Sequence, residues 1–99
     1  MVKHVVFFQL NKELNPEVKQ NVMNQFKSAI EALPAEIKFI RSVHVYFNIN
    51  PNENWDICLD SAFDSLEDVR TYSSHPAHVA AAGIIKDYKT GRSCVDYEI

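Results

Sequence analysis

Apolar residues fall on both sides of the stretch from Lys3 to Leu10, with His4, Val6, Phe8 and Leu10 on one side and Val5 and Phe7 on the other. A strand that is apolar on both sides is expected to be covered on both faces. The period then lengthens. Val18, Val22, Phe26 and Ile30 recur every four residues, with Met23, Ala29 and Leu33 beside them, which predicts an amphipathic helix. Asn15 supplies its N-cap, Pro16 its first residue, and Leu33-Pro34 its end.

The β-branched and aromatic run Phe39 to Phe47 predicts a second strand, and the polar residues 48–54 a turn back into a third, Trp55 to Phe63. Alternation there puts Trp55, Ile57, Leu59 and Phe63 on one face and Asp56, Cys58, Asp60 and Ala62 on the other. Ser65 and Asp68 stand where a capping box has its two residues, opening a short helix through Tyr72. His75-Pro76 interrupts it and starts a further helical segment with Ala77, Ala81, Ile84, Ile85 and Tyr88 on its apolar side, ended by Gly91. Ser93, Val95, Tyr97 and Ile99 alternate as a last strand.

The order β-α-β-β-α-β predicts a ferredoxin-like α+β domain spanning residues 1–99: a four-stranded antiparallel sheet with the helices on one face. Val5, Phe7, Cys58 and Ala62 then belong to a face no helix covers, and an apolar face of that kind is expected to pair with a second copy. In the same topology the first strand separates the strands of Cys58 and Cys94 by about two strand spacings, ~9–10 Å, too far for a disulfide within the chain.

Composition narrows the partners. Ten Lys and Arg against thirteen Asp and Glu give a net charge of −3 with no basic block, which argues against nucleic acid and anionic membrane. No apolar run approaches the ~18 residues of a membrane span, so the expectation is a cytoplasmic protein. The cysteines, 36 residues apart, have no CxxC spacing and no ligand cluster around them.

Four segments carry a resemblance: Val2-Lys3-His4-Val5-Val6, Phe63-Asp64-Ser65, the stretch from Tyr72 to His78 with its His75-Pro76 pair, and Val95-Asp96-Tyr97. Together they resemble the stress-responsive dimeric α/β-barrel (Dabb) family over nearly the whole chain, least over residues 34 to 54. The resemblance implies a homodimeric barrel of two facing sheets, with a small cavity between sheet and helices in each subunit. A plant branch of that family, the polyketide cyclases that make olivetolic acid, uses the tyrosine and second histidine of this segment as its working pair, which are Tyr72 and His78 here. That branch has a further histidine in its third strand, where this chain has Ile57.

The chemistry available to such a cavity is acid–base. Near the start of a helix, His78 is favoured in its neutral form and can act as a base, Tyr72 can donate to a substrate carbonyl, and His4 points to the same side. Phe26, Trp55, Leu59 and Tyr88 would line the space, which suits a small apolar or aromatic ligand with a carbonyl or phenol, with no cofactor. No metal is expected, because Pro76 spoils the spacing of His75 and His78 and no third ligand is evident. His75 is read as a cap at the His-Pro corner, and His44 as a surface or interface residue. Against this stands a non-catalytic stress-response or assembly protein, in which the His-Pro segment only shapes the fold and Phe26, Trp55 and Ile85 pack the cavity shut.

Overall fold

The computed structural model describes all 99 residues. Strand β1 (Val2–Leu10) leads into helix α1 (Pro16–Glu31) and a 3-10 turn (Leu33–Ala35), followed by β2 (Ser42–Phe47) and β3 (Ile57–Phe63). Helices α2 (Leu66–Ser74) and α3 (Pro76–Ala82), a second 3-10 turn (Gly83–Ile85) and β4 (Lys89–Glu98) complete the chain. The sheet is antiparallel throughout, in the order β2-β3-β1-β4, the ferredoxin-like arrangement.

The helices begin where the sequence supplies acceptors for their free N–H groups. Asn15 Oδ1 accepts from Glu17 N at 2.8 Å and Ser65 Oγ from Asp68 N at 3.1 Å. His75 Nδ1 accepts from Ala77 N at 3.1 Å, so this ring caps α3 as read from the sequence. The core forms where His4, Val6, Phe8 and Leu10 of β1, all buried, meet Phe26 and Ile30 of α1. Phe8 meets Phe26 edge-to-face with ring centroids 5.6 Å apart.

Three boundaries differ from expectation. The second strand starts at Ser42 rather than Phe39, because residues 36–40 turn, with Ile40 N bonded to Ile37 O, while Ile37 and Ile40 still plug the core. The third starts at Ile57 rather than Trp55. Period two therefore does not govern residues 55 and 56: Asp56 sends its carboxylate to Leu10 N (2.7 Å) and Lys19 Nζ (2.8 Å), and Trp55 packs on Phe7, centroids 6.1 Å apart. Lastly, Gly91 lies inside β4, paired with Gln9 beside a register shift, and does not end a helix. A Cβ there would stand 3.3 Å from Gln9 Oε1 and 3.6 Å from Trp55 Cζ3, so a larger residue would need the Gln9 side chain to give by a few tenths of an ångström.

Opposite the helices, the sheet presents Phe7, Tyr46, Val95 and Tyr97, each more than a third exposed. Trp55 and Phe7 border a hollow of about 270 Å³ on that face. The cysteines leave the sheet on opposite faces, since Cys58 pairs with Phe7 and Cys94 with Val6 across the intervening β1. Mild oxidation of the folded protein is thus expected to leave the intact subunit mass unchanged. A loss of two hydrogens mapped to Cys58 and Cys94 would contradict this strand order.

Candidate functional site

The sequence brings two distant segments together at the helix-covered side of the sheet. Antiparallel pairing of β1 with β4 sets His4 opposite Asp96. The Nδ1 of buried His4 lies 2.5 Å from Asp96 Oδ1, and because a carboxylate oxygen accepts, Nδ1 donates and Nε2 is left free of that bond. Over His4, α2 lays Tyr72, whose ring centroid is 6.2 Å away at 76°. Across the His-Pro corner, His78 of α3 packs on Tyr72, centroids 4.3 Å apart.

These three rings border one cavity of about 220 Å³ that is partly open to solvent. Val6 and Phe8 of β1, Phe26 of α1 and Leu59 of β3 give it apolar walls, and Ser73, Ala82, Lys89 and Arg92 complete them. Of the residues expected to surround a ligand, His4, Phe26, Leu59, Tyr72 and His78 meet here. Trp55 and Tyr88 do not. Trp55 is on the other face of the sheet against Phe7, since it precedes the strand whose alternation was extended to it. Tyr88 belongs to the turn into β4, its carbonyl accepting from Asn11 N, and packs against the core from there. Ile57, at the position where the cyclase branch has a histidine, is a buried core residue and no wall of this cavity.

Tyr72 is 1% exposed, yet its hydroxyl has no hydrogen-bond partner in the fold. Burial drives the phenol pKa well above its ordinary value, so the group stays protonated and remains a donor. His78 is half-buried, and its Nδ1 lies 3.0 Å from the carbonyl of Ser73. A carbonyl only accepts, so Nδ1 carries the proton and Nε2 the lone pair. Desolvation lowers the His78 pKa, opposed by the Ser73 bond and helped by the nearby charges of His4, Arg92 and His75. The result is a neutral imidazole beside a neutral phenol.

Sequence reading missed Asp96, Cys94, Lys89 and Arg92. The only signal for them was the β1–β4 register, which no local pattern fixes. His4, Cys94 and Asp96 also offer ligand atoms within 4.8 Å of one another. They are spent on each other: His4 Nδ1 donates to Asp96, and the Cys94 thiol, 3.5 Å from that nitrogen, is pushed up in pKa by burial and then by Asp96. A metal would need both protons removed.

A pH dependence follows from His78. Its folded pKa lies below the unfolded one, so the unfolded state takes up the proton first and stability falls as pH drops below the ordinary histidine value. Melting temperature should decline from pH 7.5 toward 5.5 more steeply in wild type than in His78→Gln; parallel curves would show that the ring is not held neutral.

No helix here is long and apolar enough to cross a membrane. Among solved structures, a dimeric protein of unknown function with a ferredoxin-like fold from Bacteroides fragilis superposes with a TM-score of 0.97 at 53% identity, covering 99% of this chain and 95% of that one. A dimeric ferredoxin-like protein from Thermobifida fusca matches at TM-score 0.79 and 24% identity, covering 99% and 90%. An uncharacterised protein of Streptomyces coelicolor is 29% identical over 102 residues, 99% of each chain. Residues 2–99 match the model of the stress responsive A/B barrel domain, and the chain belongs to that family.

Proposed function

We propose that two copies of this chain pair through their open sheet faces, and that each encloses a site where a small carbonyl or phenolic compound is bound and a proton is moved on it without a cofactor. The exposed apolar residues of the sheet face support the pairing, as does likeness to a dimeric protein at 53% identity. The observation that carries the site is the buried, unpartnered hydroxyl of Tyr72, whose ring packs on that of His78 with centroids 4.3 Å apart. Leaving a buried hydroxyl unpaired costs ~1–3 kcal/mol, and a ligand oxygen is the natural acceptor for it.

In such a complex the ligand carbonyl accepts from Tyr72, and His78 Nε2 takes a proton from the adjacent carbon. The C–H electron pair moves into the new C=C bond, and the carbonyl π pair moves to oxygen, giving an enolate held by the phenol. Return of the proton to carbon restores the keto form, so no oxidant or reductant is needed. His4, fixed by Asp96, presents its other nitrogen as a second polar group for the ligand.

The test is thermal unfolding with 4-hydroxyacetophenone, acetophenone and phenol. Ligand at ~100 times its Kd stabilises by ~2.7 kcal/mol, which in a domain of this size is a rise of ~10 °C or more. Loss of the acetophenone methyl proton signal in deuterated buffer, faster than without protein, would show proton transfer. If none of the three raises the melting temperature and no exchange occurs, the His-Pro segment is architectural and the assembly reading replaces this one.

A further inference from the structure

The charged residues that reach the cavity are all of one sign. Lys89 and Arg92 of β4 border it and no aspartate or glutamate does, in a chain whose net charge is −3. Neither is used by the fold as an ion-pair partner: the pairs are Lys3–Asp60, His4–Asp96, Lys19–Asp56, Lys27–Glu31 and Arg41–Asp64. Asp96, two residues beyond Cys94 on the same strand, is held by His4. The Lys89 ammonium stands 5.7 Å from the centroid of Phe8, which is itself a wall of the cavity. Both cations are exposed, so they stand at the mouth, whereas Val6, Phe8, Phe26 and Leu59 give the interior apolar walls.

A space bordered by two unpaired cations, a neutral base and a phenol, and otherwise walled with hydrocarbon, is matched by one kind of molecule. We infer that the ligand is a one-ring aromatic or conjugated acid, its carboxylate against Lys89 and Arg92 and its carbonyl or phenol end at Tyr72 and His78. This rests on the cavity being a ligand site, as proposed above. Size agrees with it: a buried cavity of ~150 Å³ is enough for benzene, and 220 Å³ leaves room for short substituents on the ring. Opposite charges attract there most strongly at low salt, and an arginine fork matches a carboxylate.

Calorimetric titration of the full chain at low salt with 4-hydroxybenzoate and its amide, 4-hydroxybenzamide, separates the outcomes. The acid should bind about tenfold more tightly than the amide, and the gap should close as salt rises. Lys89→Met with Arg92→Met should remove the preference, so that the acid binds no more tightly than the amide; both side chains are exposed, so the fold should persist, checked by the melting temperature. Equal binding of acid and amide, or a preference that survives the double variant, overturns the inference while the cavity remains a ligand site. If neither compound binds, the reading of the cavity as a ligand site fails and this inference with it.

Discussion

Phe7→Asp is expected to turn a dimer into monomer or aggregate. Phe7 sits at the middle of β1, between Cys58 and Ser93 of its neighbours, and is 37% exposed although it belongs to an inner strand of the sheet. If two sheets close over it, an aspartate there buries a charge with no partner. The effective penalty is several kcal/mol for each ion, and at 1.4 kcal/mol per tenfold this weakens the dimer by about 10³ or more. Sedimentation equilibrium should report twice the chain mass for wild type and the single mass, or large species, for the variant. Val79→Asp is the control, because Val79 is 57% exposed but lies on α3, on the other side of the sheet, and the dimer should survive it. A wild-type monomer at tens of micromolar would remove the basis for the barrel.

Where sequence reading succeeded, a local physical rule was at work. His4, Val6, Phe8 and Leu10 face the core because side chains alternate between the two faces of any extended, pleated strand. Asn15, Ser65 and His75 cap helices because each precedes a helix start, as its side chain or a following proline announces. Tyr72 and His78 come into contact because the His-Pro corner folds one short segment back on itself.

The failures share a cause as well. Alternation was carried two residues too far at Trp55, where Asp56 had already turned to bind Leu10 N and Lys19. Gly91 follows the last helical segment and so reads as its stop, but what it meets is Gln9 and Trp55, remote in sequence. Asp96 and His4 are 92 residues apart and touch only through the strand register. The unpartnered state of a hydroxyl depends on everything around it, so the feature that best marks the site could not be read from the chain.

Tyr72→Phe is therefore expected to separate stability from function, in a direction that a structural tyrosine would not follow. Tyr72 is not at the edge of the packed region: it is 1% exposed, with Phe63 at 4.9 Å and His78 at 4.3 Å between ring centroids. Truncation to alanine should accordingly cost ~3–5 kcal/mol, as for other buried aromatics. Phenylalanine keeps the ring and deletes only a hydroxyl that the fold does not bond. Its removal relieves a desolvation cost of ~1–3 kcal/mol, so the melting temperature of the ligand-free protein should stay level or rise. Proton exchange on acetophenone should fall by ~10²–10³, the loss typical of removing one donor to a developing oxyanion. His78→Ala should lower the same rate by a comparable ~10²–10⁴ by taking away the base. In calorimetry, 4-hydroxyacetophenone should bind Tyr72→Phe more weakly than wild type, since the phenol no longer donates to its carbonyl. A drop of several degrees in the melting temperature of Tyr72→Phe would mean that the hydroxyl works for the fold itself, and the stabilised protein with undiminished exchange would mean that the enolate oxygen rests on another donor. Only the combination of equal or greater stability with lost exchange fits a side chain held ready, at a cost to the fold, for a ligand oxygen.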